Sequence, residues 1–256
     1  MSLDVTGRVC IVAGGTSGLG RAIAKGLAEA GMKVVVGSSD PAKVAAMERE
    51  LGEEGMATEL DVTDPASALA AVETTVARHG RIDGLVNAAG ILVRKPAIDL
   101  EVEELERVMR VNLTGSFVMA QAVARRMKEQ DPDARGVRGA IVNIASLSSF
   151  VALSEVLAYA CSKSAVLGLT RGLANEWAAL GIRVNAIAPG VFPTPLNRPL
   201  IEGTDRGRWF VAHTPLARFG DGEELVDAAR YLLSPGASFT TGETLVVDGG
   251  FLARGV

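Results

Sequence analysis

The sequence is poor in cysteine, histidine and long apolar runs. Its two cysteines, Cys10 and Cys161, fall in a predicted strand and a predicted helix, so we expect no structural disulfide, and a cytoplasmic setting fits. Two histidines, His79 and His213, are too few and too far apart in sequence to predict a metal site. No apolar run reaches the roughly 18 residues of a membrane span, and no basic segment leads into an apolar one at the start, so we expect neither a membrane partner nor a signal peptide.

Basic charge is not in excess either. Lys and Arg total 26 against 30 Asp and Glu, giving a net charge of −4. This balance disfavours nucleic acid and anionic membranes as partners, and it leaves a small-molecule substrate as the expectation. The 256 residues are 48% hydrophobic and show no repeat, linker or shift in composition, so we predict one domain over residues 1–256.

Strand and helix patterns alternate along the chain. Strands are predicted at 7–13, 34–36, 57–60, 82–86, 140–144, 183–188 and 244–247. Helices are predicted at 21–30, 42–51, 65–79, 102–129, 155–180 and 222–233, with Asp64 capping the third helix and Pro65 as its first residue. This alternation predicts an α/β fold, a doubly wound parallel sheet of the Rossmann type with helices on both faces.

A glycine-rich segment joins the first strand to the first helix. Amide groups at a helix N-terminus, together with the positive end of the helix dipole, bind pyrophosphate, and glycines allow the backbone to approach it. In this strand–turn–helix context the segment predicts a dinucleotide site that includes Gly14, Thr16, Ser17, Gly18, Leu19 and Gly20.

Tyr159 and Lys163 are four residues apart in a predicted helix, and Ser146 ends the strand before it. Positions i and i+4 share a helix face, so the phenol and the ammonium can point into one cavity. A neighbouring ammonium is expected to lower the Tyr159 pKa from about 10, which suits a proton-transfer group. Tyr-x-x-x-Lys is also common on solvated helix faces, and the dinucleotide motif is what favours a catalytic role here.

A series of motifs resembles the short-chain dehydrogenase/reductase family across essentially the whole chain. Residues 90–96, 173–178 and 248–253 are most similar to its branch of gluconate 5-dehydrogenases and 2-deoxygluconate 3-dehydrogenases. Ala13 and Ala88 depart from the Thr and Asn usual in the family, at scaffold positions near the cofactor. The motifs, in order, are Gly14-x-x-x-Gly18-x-Gly20, Asn87-Ala88-Ala89-Gly90, Asn112, Ser146, Tyr159-x-x-x-Lys163 and Pro189-Gly190.

This resemblance implies an NAD(P)-dependent enzyme that interconverts a secondary alcohol and a ketone. Tyr159 would be the acid/base, Lys163 would also bind the nicotinamide ribose, and Ser146 would hold the substrate oxygen. The resemblance makes Asn112 part of a water path to Lys163, whereas the residues alone fit a polar side chain inside a helix equally well. Further cofactor contacts are implied for Asp61, Val62, Asn87, Ala88, Gly90, Tyr159, Lys163, Pro189, Gly190 and Thr194. The family also implies a homotetramer paired through residues 102–129 and 155–180.

Cofactor choice depends on the end of the second strand. An acidic residue there selects NAD by binding the ribose hydroxyls, and an arginine binds a 2′-phosphate. Ser38 lacks the carboxylate that would repel phosphate, and Ser39 stands where NADP-using relatives often have arginine. Asp40 is predicted to cap the helix that opens at Pro41. The two hydroxyls therefore favour NADP, with NAD as the alternative.

Two features concern the substrate. Residues 190–220 combine several prolines, which suppress regular structure, with Trp209 and Phe210, which need burial, so we predict a flap over the substrate. Arg94 follows the fourth strand, where an arginine can bind a carboxylate in a bidentate manner, as a sugar acid would require. A solvated loop charge is the alternative interpretation of Arg94.

The leading functional prediction is an oxidoreductase acting on a polyol or sugar acid. A 3-oxoacyl-carrier-protein reductase is one alternative, but such enzymes usually have arginine at the position of Asn175, and a sequence pI near 5.4 does not suit an acidic carrier. A non-catalytic dinucleotide-binding sensor is another, and the intact set of Ser146, Tyr159 and Lys163 argues against it. The fold alone does not decide between them.

Overall fold

The computed structural model describes residues 3–51 and 55–254. The described strands form one seven-stranded sheet in the order β3-β2-β1-β4-β5-β6-β7, and every neighbouring pair is parallel. The predicted doubly wound parallel sheet is therefore confirmed. The strands are β1 (Val9–Ala13), β2 (Lys33–Ser38), β3 (Met56–Glu59), β4 (Gly84–Asn87), β5 (Gly139–Ile144), β6 (Ile182–Pro189) and β7 (Thr244–Val247).

Helices connect the strands and cover the sheet. They are α1 (Gly18–Glu29), α2 (Pro41–Leu51), α3 (Pro65–His79), α4 (Val102–Met109), α5 (Gly115–Met127), α6 (Leu157–Trp177), α7 (Arg198–Ile201), α8 (Asp205–His213) and α9 (Val226–Leu233). The Asp64 side chain accepts a hydrogen bond from the Ala66 backbone N–H at 2.9 Å, so the predicted cap of α3 is confirmed. Within the described residues, no helix combines the length and apolar character needed to cross a membrane.

Two hydrophobic cores lie on opposite faces of the sheet because successive strand residues point in opposite directions. In β1, Val12 packs into the core beneath α1 and α9, where Ile23 and Leu232 are also fully buried. Its neighbour Ile11 packs into the other core, which α5 enters through Met119. This two-sided burial explains why the strands are almost continuously apolar.

Two segments differ from the sequence predictions. The helix predicted over 102–129 is interrupted between α4 and α5 by a π-helical turn, Arg110–Thr114. The segment 190–220, where the prolines predicted little regular structure, contains α7 and α8. The α8 helix forms there because the Thr204 side chain accepts a hydrogen bond from the backbone N–H of Gly207 at 3.0 Å and caps its first turn.

The order of the strands determines where a ligand can bind. β1 pairs with β2 on one side and with β4 on the other, so the connections that leave these strands diverge to opposite faces. Such a switch point leaves an open crevice at the carboxyl ends of the strands. The loops that follow β1, β2, β4 and β5 all begin at this edge.

Candidate active site

A cavity of about 680 Å³ opens at the carboxyl edge of the sheet, along the switch point. It is lined by the loops that follow the first six strands and by the flap segment, so one continuous space joins the predicted dinucleotide and substrate regions. Among the predicted site residues that line it are Gly14, Thr16, Ser17, Gly18, Leu19, Gly20, Ser38, Ser39, Asp61, Val62, Ala88, Gly90, Arg94, Ser146, Tyr159, Lys163, Pro189, Gly190 and Thr194.

The glycine-rich loop is too tightly packed for side chains. A Cβ atom added at Gly14 would lie 2.6 Å from the backbone of Ala89, and φ at Gly14 is +79°. A Cβ at Gly20 would lie 2.4 Å from the Gly14 carbonyl oxygen. The glycines therefore allow the glycine-rich loop, the start of α1 and the loop after β4 to pack in direct contact, as pyrophosphate binding requires.

The first turn of α1 keeps its amide groups available. The Ser17 side chain makes no capping hydrogen bond, and the described first turn contains no acidic side chain. Because the first N–H groups of a helix have no partner within the helix, these amides and the positive dipole end point to an anionic ligand in the adjoining cavity. The local chemistry fits the phosphates of a dinucleotide.

Hydroxyl and basic side chains gather at the end of the cavity beside β2. Ser38 and Ser39 line it together with Lys43, which sequence reasoning missed because a lysine inside a helix carries no ligand motif. The carboxylate of Asp40 accepts hydrogen bonds from the N–H groups of Ala42 and Lys43 at 3.0 and 3.2 Å, which confirms the predicted cap of α2. The same carboxylate pairs with the Lys43 ammonium at 3.2 Å.

Ser146, Tyr159 and Lys163 meet in the centre of the cavity. Tyr159 and Lys163 extend from one face of α6, and the Lys163 ammonium lies 5.7 Å from the centre of the Tyr159 ring. Ser146 lies two residues after the end of β5 and hydrogen-bonds with the Tyr159 hydroxyl. The Lys163 ammonium donates a 2.6 Å hydrogen bond to the Ile144 carbonyl oxygen. The helix spacing and the strand end thus bring the three predicted side chains together.

Burial controls the protonation of this group. It raises the pKa of Tyr159, and the hydrogen bond from Ser146 offsets only part of that effect. Burial also lowers the pKa of Lys163 from its ordinary 10.5 to about 8. The predicted lowering of the Tyr159 pKa is therefore wrong for this structure, because loss of water around the phenol outweighs the other influences on it.

Asn112 lies at the π-helical turn and is fully buried. Its side-chain oxygen accepts a hydrogen bond from the Ile91 N–H at 2.8 Å, and its amide donates to the Ile91 oxygen at 3.0 Å and to the Ser162 hydroxyl at 2.9 Å. It is not among the residues that line the cavity. Asn112 thus ties the loop after β4 to α6 from behind the site, next to Lys163.

Asn87 is the predicted cofactor residue that the structure keeps away from the cavity surface. Its side chain is buried and donates hydrogen bonds to the Ser116 carbonyl at 3.0 Å and the Asn143 side chain at 2.9 Å. Asn143 in turn donates to Thr170 of α6 at 2.9 Å. The Asn87 side chain therefore fixes β4 against β5 and α5, and the role of Asn87 in cofactor binding stays a prediction.

The substrate end carries charges that the sequence did not reveal. Arg94 lines the cavity as predicted, but its Nε donates a 2.7 Å hydrogen bond to the carboxylate of Glu155. Glu155 has a left-handed backbone, with φ +68°, and its carboxylate lies 3.8 Å from Arg206 of α8. Phe192, Leu196 and further flap residues complete the wall, so the segment 190–220 does border the cavity.

Known proteins match this chain over nearly its full length. Residues 13–252 match the family model described as Enoyl-(Acyl carrier protein) reductase. The chain is 39% identical over 254 residues to 2-dehydro-3-deoxy-D-gluconate 5-dehydrogenase of Dickeya dadantii, with 99% of this chain and 98% of that protein covered. It is 39% identical over 251 residues to D-threitol dehydrogenase of Mycolicibacterium smegmatis, with 97% and 94% covered. The structure of a gluconate 5-dehydrogenase from Burkholderia cenocepacia J2315 in complex with NADP and tartrate has a TM-score of 0.91 to this one, at 39% identity and with 100% of both chains covered.

Proposed function

The chain belongs to the short-chain dehydrogenase/reductase family and is an NAD(P)-dependent oxidoreductase; on that premise we propose that it interconverts a secondary alcohol and a ketone on a polyol or sugar acid. The observation that carries the proposal is the shared cavity in which Ser146, Tyr159 and Lys163 face the glycine-rich start of α1. Such a cavity holds a hydride carrier, a carbinol carbon and a proton-transfer group in one space. The family resemblance found in the sequence motifs is confirmed.

Each side chain of the site has a role that its position supports. A bound nicotinamide accepts or supplies the hydride. Tyr159 takes the proton from the substrate hydroxyl during oxidation and returns it during reduction. Ser146 donates a hydrogen bond to the same substrate oxygen and keeps it beside the phenol. Lys163 binds the nicotinamide ribose and, once its ammonium is turned towards Tyr159, stabilises the phenolate.

Asn112 supports this group in the proposal without touching the substrate. It holds Ile91 and Ser162 in fixed positions behind Lys163, and it anchors the path by which protons return to that lysine. The π-helical turn supports the idea, since such turns frequently occur at functional sites.

NADP is the preferred cofactor in this proposal. Ser38, Ser39 and Lys43 all line the cavity. Asp40 is the acidic side chain in this region, and its carboxylate is occupied by two helix amides and by Lys43. A 2′-phosphate there would meet two hydroxyl donors and one cation. The Burkholderia relative that was solved with NADP supports this choice.

The substrate class rests on the relatives and on the polar character of the site. The Dickeya relative is named for a sugar acid and the Mycolicibacterium relative for a polyol. The matched family model carries the name of an acyl-carrier-protein reductase, so an acyl substrate is the alternative to test. Asn175, where such reductases usually have arginine, lies exposed on α6 and leaves no cation at that position for an acidic carrier.

The remaining proposals concern the whole molecule. The chain acts as one domain, with the segment 190–220 as a flap over the substrate, since its residues line the cavity. It works in the cytoplasm, as its free cysteines Cys10 and Cys161 suit. It assembles as a homotetramer through the helical surface of α4, α5 and α6, which exposes large apolar side chains.

A substrate screen tests the proposed activity. Polyols, aldonic acids and their keto forms are offered with NADP or NAD, and the nicotinamide absorbance is followed. We expect turnover on at least one polyol or sugar acid and none on a 3-oxoacyl thioester. Turnover confined to the thioester would overturn the proposed substrate class, and a protein that binds the cofactor but turns over nothing in the panel would match the non-catalytic alternative.

A further inference from the structure

Three charged side chains meet at the substrate end of the cavity. Arg94 comes from the loop after β4, Glu155 from the turn before α6, and Arg206 from the flap helix α8. Both arginines line the cavity, and the carboxylate of Glu155 lies between their guanidinium groups. Two positive charges face one negative charge, so this corner carries an excess of one positive charge beside the substrate space.

Arg94 is paired directly with Glu155. Its Nε donates to one carboxylate oxygen of Glu155 at 2.7 Å, and its Nη2 contacts the same oxygen. The backbone N–H of Lys95 also donates to the Glu155 carbonyl at 2.9 Å, so the two loops are joined by backbone and side chain together. These contacts hold Glu155 at its φ of +68°, a conformation that is uncommon for a residue with a side chain.

Arg206 is held much more loosely. Its guanidinium lies 3.8 Å from the Glu155 carboxylate, beyond hydrogen-bond distance, and donates one 3.3 Å hydrogen bond to the Ser154 carbonyl. The guanidinium also lies 5.6 Å from the Phe210 ring centre, and the side chain is 26% exposed. A guanidinium has five N–H donors, and the described contacts use few of them.

We propose that Arg206 receives the carboxylate of an acidic substrate, and that Arg94 is a positioning residue which neutralises and fixes Glu155. This inference rests on the proposed function and names the residue that sets its preference for sugar acids over neutral polyols. A substrate carboxylate in the cavity would find a guanidinium in Arg206 that is not hydrogen-bonded to a carboxylate, whereas the charge of Arg94 is already paired with Glu155 at hydrogen-bond distance. Since α8 belongs to the flap, the same contact ties the flap to the bound substrate.

The first experiment compares an aldonic acid with the neutral polyol of the same chain length. Arg206→Ala should raise the Michaelis constant for the acid by about ten- to a hundredfold, because it removes a charge-assisted hydrogen bond. The Michaelis constant for the polyol should change much less. Arg206→Lys should recover only part of the loss, because an ammonium cannot bind a carboxylate in a bidentate manner.

Arg208→Ala is the matched control. Arg208 lies on the same helix, but it pairs with Asp205 and borders a different hollow. Arg208→Ala should leave the Michaelis constants for the acid and the polyol nearly unchanged. Equal losses on acid and polyol in Arg206→Ala would overturn the inference and indicate damage to the flap. If Arg208→Ala raised the Michaelis constant for the acid as much as Arg206→Ala does, the inference would also be wrong, because general electrostatic attraction by the positive charge of α8 would explain both effects.

A binding experiment keeps this test separate from turnover. Tartrate is titrated into the complex of the protein with NADP, and binding is followed by calorimetry in wild type, Arg206→Ala and Arg208→Ala. Selective loss of tartrate affinity in Arg206→Ala supports the inference even if the substrate screen finds no turnover. If Arg206→Ala binds tartrate as wild type does, or if wild type binds neither tartrate nor an aldonate, the inference is wrong.

The role given to Arg94 has a separate test. Arg94→Ala leaves the Glu155 carboxylate without its main partner, so the acid should bind about tenfold more weakly through repulsion. Adding Glu155→Gln to Arg94→Ala removes that charge and should restore most of the affinity for the acid. If Arg94 itself were the carboxylate ligand, the double variant would stay as weak as the single one. That outcome would overturn the assignment to Arg206.

Discussion

The ammonium of Lys163 lies 2.6 Å from the carbonyl oxygen of Ile144, in a position where only 4% of the lysine is exposed. The helix α6 therefore carries its lysine to the end of β5, where a backbone carbonyl is its hydrogen-bond acceptor. One hydrogen bond offsets only part of the cost of burying an ammonium. This balance explains why the pKa of Lys163 is lowered to about 8.

The lowered pKa makes stability depend on pH in a defined direction. Between about pH 8 and 9.5 the unfolded chain keeps the Lys163 proton while the folded protein releases it, so this residue raises the free energy of unfolding by about 1.4 kcal/mol per pH unit. Lys163→Met lacks this contribution. At about pH 7.5 we expect Lys163→Met to have a larger free energy of unfolding than wild type. By about pH 9.5 this difference should be smaller by about 2 kcal/mol.

Urea unfolding of the cofactor-free protein at several pH values measures this difference. Lys25→Met removes an exposed lysine of α1 and controls for the general effect of exchanging a lysine for methionine. If the stabilities of wild type and Lys163→Met stayed parallel from about pH 7.5 to 9.5, Lys163 would not titrate in this range and the account of its burial would be wrong.

Tyr159→Phe should lower the turnover number by about 10²–10⁴ and leave cofactor affinity nearly unchanged. The change removes the phenolic oxygen and keeps the ring that fills the cavity wall. Tyr231→Phe is a close control, since the sequence contains only two tyrosines and the Tyr231 hydroxyl contacts Thr240 at 3.1 Å, away from the cavity. Activity of Tyr159→Phe within a few-fold of wild type would exclude Tyr159 as the acid/base.

Much of the fold and the catalytic core could be predicted because local patterns determine them. Alternating helices and strands predict the parallel sheet, and the spacing of Tyr159 and Lys163 predicts a shared helix face. The cap formed by Asp64 follows from neighbouring residues alone. The helix face and the cap involve groups that are close in sequence, and the parallel sheet follows from the helices that alternate with the strands, so no knowledge of the tertiary packing is needed.

Several features that sequence reasoning missed depend on distant segments. Arg94 and Glu155 are 61 residues apart in the sequence. Glu155 also has a left-handed backbone, which a sequence usually indicates only by a glycine. The direction of the Tyr159 pKa depends on how much water the folded site excludes. The hydrogen bond of the Asn87 side chain to Asn143 of the next strand was also not predicted. Such contacts become visible only once the strands are placed side by side.

Ser38→Asp should shift cofactor preference towards NAD. The new carboxylate would repel a 2′-phosphate and accept hydrogen bonds from ribose hydroxyls. Lys43→Ala should weaken NADP binding about tenfold and NAD binding much less, because it removes the cation at this end of the cavity.

Fluorescence titration with both cofactors measures these affinities, and Lys25→Ala serves as a control for general loss of positive charge. A wild-type protein that binds NAD about tenfold or more tightly than NADP would show that Ser38 and Ser39 do not favour the phosphate. An equal effect of Lys43→Ala on the two cofactors would mean that Lys43 supports the loop and does not recognise the phosphate.

The proposed tetramer interface can be tested by a substitution at Phe117. This residue of α5 is 37% exposed and belongs to the proposed interface of α4, α5 and α6. A charge buried between two subunits is costly, so Phe117→Glu should dissociate the assembly, which sedimentation velocity would show as a smaller species. Leu69→Glu is the control, since Leu69 is 52% exposed on α3, which is not one of the helices of the proposed interface, and the substitution should leave the assembly intact. A wild-type protein that sediments as a monomer would refute the tetramer, and dissociation by Leu69→Glu alone would move the interface to α3.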